Sequence, residues 1–312
     1  MNLYLSFSVV FPLCVYILLG ILAGKMHILE DKTISQVNKL IFKVLFPVVM
    51  FDNIVGAGDA LRTGDLSIVL FFALVVLAAF LLLMLLVPLF IHSRPRQGSF
   101  IQGSFRANSI LFAMPVVTTL CGKENIGIAS VCLAVIVPIY NVLSVICLET
   151  RRGGKIHFLS ILKGIATNPL ILGAAAGILF VLTGLQLPEL LVTPINALSS
   201  IVTPLALIVL GAGLRFTGIR KDLLPLSAVA VIKLVLIPGI VVLGGILLGY
   251  RGVALASLLG LSCVPTAVAS YPMAEQMGGD GPFAGEIVAF TTVFSMFTVF
   301  LWVTALNFLQ MI

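Results

Sequence analysis

Two stretches of this 312-residue chain put helix-breaking and polar residues inside apolar surroundings. The first runs Phe105-Arg-Ala-Asn-Ser-Ile-Leu-Phe-Ala-Met-Pro-Val-Val-Thr-Thr-Leu-Cys-Gly122. Pro115 has no N–H to offer the Leu111 carbonyl, and its ring crowds that turn. The spacing therefore predicts an opening just before it and a fresh helical segment from near Ala113. The second runs Leu261-Ser-Cys-Val-Pro-Thr-Ala-Val-Ala-Ser-Tyr-Pro-Met-Ala-Glu-Gln-Met-Gly-Gly279, with a segment expected to start near Tyr271. A half-helix presents unpaired backbone N–H groups and the positive end of its dipole. Two such ends aimed at a membrane interior suit a carboxylate better than a cation or a neutral sugar.

The residues around these breaks are the candidate binding set: Asn108, Ser109, Ala113, Met114 and Pro115 in the first, Pro265, Thr266, Ser270, Tyr271 and Pro272 in the second. Asn108 leads, because its amide can donate to a carboxylate oxygen or satisfy an opened carbonyl. An amide at hydrocarbon depth is costly without such a partner. Lys233 falls near the middle of its apolar run, where it would neutralise substrate charge or pair with Glu275 or Glu286. Asp52, Glu275 and Glu286 are the acidic residues inside apolar runs, and each is either a coupling group or a solvated helix end. Arg106 reads as a residue of the cytoplasmic end of its span, lining a vestibule or meeting lipid phosphate.

The elements that must position these residues are membrane spans. Hydrophobic residues make up 60% of the chain and charged residues 10%, against about 25% charged in soluble domains. Ten apolar runs near 5–23, 36–57, 66–91, 100–121, 126–148, 158–183, 191–213, 223–249, 253–277 and 284–309 approach the roughly 20 residues needed to cross a bilayer. The net charge of +6 is spread singly through short loops, which is no nucleic-acid footprint. The five cysteines lie in or at the ends of apolar runs without C-x-x-C spacing, and the three histidines are far apart, so no disulfide set, metal site or cofactor is expected. No signal peptide is expected before the first run, since no basic residue precedes it. A G-x-x-x-x-G-K-[ST] loop is absent from the sequence, which removes direct ATP drive by this chain.

The chain also repeats. At a constant offset of 157, Pro12 falls on Pro169, Gly20 on Gly177, Pro47 on Pro204, Gly56 on Gly213, Asp65 on Asp222, Pro115 on Pro272 and Gly122 on Gly279. Residues 1–149 would form a first five-helix repeat, 150–157 a cytoplasmic linker, and 158–312 a second repeat. An odd span number per half inverts the second repeat. The fold class expected is an all-α polytopic membrane protein of ten transmembrane helices, with the fourth and ninth interrupted and crossing. Odd-numbered loops carry ten basic residues (Lys25, Lys32, Arg94, Arg96, Arg151, Arg152, Lys155, Arg215, Arg220, Lys221) against three in even loops (Arg62, Lys123, Arg251). That bias puts the odd loops in the cytoplasm and both termini outside.

The pattern Asn108-x6-Pro115-x6-Gly122, and Pro265-x6-Pro272 followed by Ala-Glu-Gln-Met-Gly-Gly-Asp, resembles the auxin efflux carrier family. Asn38-Lys-Leu-Ile-Phe-Lys-Val-Leu-Phe-Pro47 and Asn168-Pro169 extend the resemblance along the chain. That family includes plant auxin exporters and bacterial permeases for small dicarboxylates such as malate and malonate. The long cytoplasmic loop of the plant exporters is missing here, so the bacterial permeases are the closer likeness. The resemblance implies a bacterial inner-membrane protein, a substrate-contacting Asn108 and compatibility with a homodimer. The function expected is a secondary carrier for a small organic anion, a mono- or dicarboxylate, coupled to a proton, to sodium or to neither. A channel of the same fold and a non-transporting membrane sensor are the competing readings, and an enzyme is the most distant.

Overall fold

The structure, a computed structural model, describes residues 3–56, 58, 66–122, 125–153, 158–214 and 221–312. Arg62, Asp65, Lys123, Lys155, His157, Arg215 and Arg220 lie outside the described residues.

Helix follows helix along the chain, and among the described residues there is no β-strand. α1 is Leu3–Lys25, α2 spans 31–56, and α3 is Leu66–Leu89. α4, Arg94–Phe105, and α5, Ser109–Cys121, share one apolar run, and α6 is Gly127–Arg151. α7, Phe158–Ala166, and α8, Pro169–Thr183, are separated because Asn168 caps the second, accepting from the Leu170 N–H at 3.0 Å with Pro169 behind it. α9 is Glu189–Gly213 and α10 is Leu223–Leu247. α11, Val253–Ser262, α12, Ser270–Met277, and α13, Gly281–Phe308, complete the chain.

Among the described residues, five helices are long and apolar enough to cross a membrane: α3, α6, α9, α10 and α13. α3 turns Leu70, Leu74, Leu81 and Leu85 outward, an apolar face that water would not tolerate and acyl chains would. The protein is a helical membrane protein.

Two helices carry one wide turn each, Ile41–Leu45 in α2 and Ile232–Leu236 in α10, and a proline follows two residues later in both. Pro238 cannot donate to the Leu234 carbonyl. The Trp302 indole N–H of α13 donates to that carbonyl instead, at 2.9 Å. The wide turn also carries Lys233, which is fully buried.

α1 packs on α9 and α2 on α8, the two most extensive helix pairs. Both depend on glycine. Gly20 lies against the Ile208 carbonyl and Gly211 against that of Ile17, so a Cβ at either would collide with backbone. Gly173 lies likewise against Pro47, and a Cβ on Gly177 would stand 3.1 Å from the Phe51 carbonyl. Small residues at such positions let backbones approach closely. Gly20 and Gly177 differ by 157 in number, and so do the residues they face, Phe51 and Ile208.

Candidate functional site

α4 ends at Phe105 and α5 begins at Ser109; α11 ends at Ser262 and α12 begins at Ser270. The two non-helical links cross and pair. Asn108 donates its N–H to the Pro265 carbonyl at 2.8 Å, and Ala267 donates to the Arg106 carbonyl at 3.2 Å. A single antiparallel bridge joins Ala107 to Thr266.

The breaks free carbonyls at the ends of α4 and α11, in a place where each needs a donor. Thr266 Oγ1 donates to the Gly103 carbonyl at 2.7 Å, and Ser109 Oγ donates to that of Leu261 at 3.1 Å. Lys233 Nζ donates to the Ser262 carbonyl at 3.1 Å, a cation at the negative end of α11. The Leu261 carbonyl is the one Pro265 cannot serve. Ser109 and Thr266, 157 apart, thus clip each other's half of the crossing.

A cavity of 140 Å³ opens beside the crossing, bounded by the links, by Met50 and Asn53 of α2, by Tyr140 and Asn141 of α6 and by Ser199 and Thr203 of α9. Arg106, Asn108 and Ser109 line it. Arg106 is 3% exposed. Its Nη2 donates to Asn141 Oδ1 at 2.6 Å and its Nη1 to Met273 Sδ at 3.0 Å. No ion pair among the described residues includes it. The side-chain nitrogens of Asn108 and Asn53 are buried without a partner among the described residues. One cation without a carboxylate and two idle amide donors therefore surround one small space. Such a set asks for an acceptor, and a charged one.

A family model described as "Membrane transport protein" matches residues 5–303. The chain belongs to that family. It is the auxin efflux carrier family that the sequence resembles, so the crossing sits in a membrane transport protein. No curated protein matches the chain.

Within this transport protein the expected site residues separate. Asn108 and Ser109 line the cavity, although the Ser109 hydroxyl is spent on Leu261. Pro265 and Thr266 build the crossing itself. Ser270 is buried with an unpartnered hydroxyl. Met114 and Asp52 line a neighbouring cavity of 330 Å³, which shares Met50, Asn53 and Val137 with the first. Ala113 is fully buried, with its carbonyl toward Gly260 of α11, and is not part of the lining. Tyr271, Glu275 and Glu286 line a separate vestibule of 640 Å³.

The first break is not at Pro115. That proline is the seventh residue of α5, whose helix starts at Ser109 and not near Ala113. The non-helical backbone of Arg106 to Asn108 is held by bonds to the other link and needs no proline. In the second break Pro265 is the interrupting residue. Pro272 occupies the first turn of α12, where its missing N–H would have no helical partner anyway. Lys233 pairs with neither Glu275 nor Glu286, because α11 brings its C-terminal carbonyl to the ammonium first. Asn38 of α2 donates to the Glu275 carboxylate.

The cavity also holds Asn53 and Asn141, which the sequence pattern does not single out, and Arg106, which the pattern expects at the cytoplasmic end of a span and the break turns into the interior instead. For Arg106, its place two residues before Asn108 was the available signal. Asn53 follows Asp52 inside an apolar run, and Asn141 stands alone in α6, so each was an amide of the same costly kind as Asn108.

Proposed function

We propose that this protein is a secondary carrier that moves a small organic anion, a mono- or dicarboxylate, by alternating access, and that its anion site is the cavity at the crossing. The observation that carries the proposal is Arg106: a buried guanidinium with no carboxylate partner among the described residues, on the same cavity as the unpartnered amide nitrogen of Asn108. A bound carboxylate would accept from both and from the N-terminal end of α5. The volume supports a small substrate. A 140 Å³ space matches the roughly 150 Å³ cavity that accepts benzene, about the bulk of a three- or four-carbon dicarboxylate.

The same reading takes the chain as ten spans in two inverted repeats, 1–149 and 158–312, with both termini outside. Support comes from paired relations that keep the offset of 157: Gly20 on Ile208 with Gly177 on Phe51, Ser109 with Thr266, and Asn108 with Pro265. The glycine-packed pairs α1–α9 and α2–α8 would form the stationary frame. The cavity lies between that frame, through α2 and α9, and the bundle holding the crossing. Movement of one against the other would open the site to each side in turn.

Uptake into proteoliposomes across a panel of labelled mono- and dicarboxylates tests this. Wild type should accumulate at least one, and external unlabelled substrate should accelerate release of internal label. Conduction without such counterflow would make the protein a channel, and no uptake of any anion would end the proposal.

A further inference from the structure

The 640 Å³ vestibule is oddly charged for an anion path. Asp31 of α2, Asp222 before α10, Glu275 of α12, Asp280 before α13 and Glu286 of α13 line it, against Arg96 of α4 and Lys221 among the described residues. Most of these groups are occupied. Arg96 pairs with Asp222 and, at 3.8 Å, with Asp280, and its guanidinium lies 4.1 Å from the centre of the Phe283 ring. Glu275 is held by Asn38, with the Tyr271 and Ser35 hydroxyls in hydrogen-bonding reach.

Glu286 is the exception. It is 4% exposed, faces the vestibule, and its Oε2 has no partner among the described residues. The Asp222 carboxylate lies within hydrogen-bonding reach of it. Two carboxylates so placed repel unless something positive stands between them. Arg96 already engages Asp222 and Asp280, and among the described residues Arg96 and Lys221 are the cations that line the space. A metal ion is the poorer occupant, since no group of three His, Cys, Asp or Glu among the described residues could hold one.

We propose that Glu286 and Asp222 bind one proton between them, and that this pair is the proton-coupling site of the protein. The shared proton stands on the placement of both carboxylates in one vestibule, with Glu286 buried and one of its oxygens unpartnered among the described residues; its coupling role rests on the carrier reading above. Glu286 sits on α13, which packs against α12 and α4, the helices that continue into the crossing. Asp222 sits at the start of α10, which carries Lys233 to the end of α11. Loss of the proton would set the two carboxylates apart and so pull on both supports of the crossing.

The test has a spectroscopic arm and a transport arm. Purified protein in lipid nanodiscs is titrated with infrared difference spectroscopy. Wild type should show the carbonyl-stretch band of a protonated carboxyl that disappears on alkaline titration. Glu286→Gln and Asp222→Asn should each lose that band, while Glu286→Asp, which keeps a carboxyl, should retain it with a displaced midpoint. A titrating band unchanged in both amide variants overturns the proposal. In proteoliposomes, labelled malonate uptake driven by an imposed proton gradient should be lost in Glu286→Gln, and malonate counterflow should survive. Wild-type uptake driven by sodium and indifferent to the proton gradient would overturn the coupling role. If no wild-type transport occurs with any anion, the carrier reading fails while the infrared result still decides the shared proton.

Discussion

Asn108 and Pro265, 157 residues apart, are joined by one backbone hydrogen bond of 2.8 Å at the point where the two broken helices cross. Each belongs to the link that interrupts its own run. The cavity, the buried Arg106 and the idle amides all lie beside this one bond.

Arg106→Gln should separate binding from stability. Removing a buried cation that has no carboxylate partner is expected to leave the unfolding temperature unchanged or raise it. Affinity for the transported anion should fall by about 2–5 kcal/mol, the usual loss when one side of a buried charged hydrogen bond is removed. Thermal unfolding and binding on the same preparation check this. A collapse in stability with normal affinity would make Arg106 a structural residue.

Asn108→Asp is expected to damage transport more than Asn108→Ala. Alanine removes one donor, about 1–3 kcal/mol when the partner stays buried. Aspartate would place a negative charge on the cavity that Arg106 lines, occupying the cation meant for the substrate. Equal affinities in two folded variants would mean that Asn108 does not face the anion.

Among the prolines, Pro265→Ala should matter and Pro272→Ala should not. An N–H at position 265 would seek the Leu261 carbonyl, which Ser109 now holds, and would favour a continuous helix through the crossing. Position 272 lies in the first turn of α12, so its change should stay within about 1 kcal/mol of wild-type stability and near wild-type transport. Transport rates normalised to reconstituted protein decide, and a reversed order would return the break to Pro272.

The frame should reject a single methyl group. Gly20→Ala and Gly173→Ala place a Cβ against the Ile208 and Pro47 backbones, a forced overlap expected to cost about 1–3 kcal/mol or more. Gly56→Ala is the control, since nothing lies within 4 Å of its Cβ position. Thermal unfolding of the three variants tests whether these helix pairs are rigid contacts; equal unfolding temperatures would show that they yield.

Orientation can be read by labelling single cysteines in a background without the five native ones. Leu185→Cys, in the link between α8 and α9, should react with an impermeant reagent in intact cells. Arg152→Cys, at the end of α6, should react only after the membrane is opened. The opposite pattern would invert the topology.

Much of this molecule follows from the sequence alone. Apolar runs with few charges admit only a helical membrane protein, because lipid offers the backbone no partners. Prolines and polar residues inside two of those runs mark the interrupted segments, and the offset of 157 pairs the residues that later meet as Asn108 with Pro265 and Ser109 with Thr266. What the tertiary structure decided is where each run opens and what turns inward there. Local rules put the first opening at Pro115, but the chain opens at Arg106 to Asn108, where hydrogen bonds to the Pro265 carbonyl and from the Ala267 N–H compensate the lost helical ones. Those donors and acceptors come from a segment far along the chain, so no local pattern specifies them. The same opening takes Arg106 from a helix end onto the wall of the cavity, where it is buried, and the approach of α11 gives Lys233 a carbonyl in place of a carboxylate. Apolar pattern chooses the elements, whereas the satisfaction of buried polar groups across distant segments chooses the site.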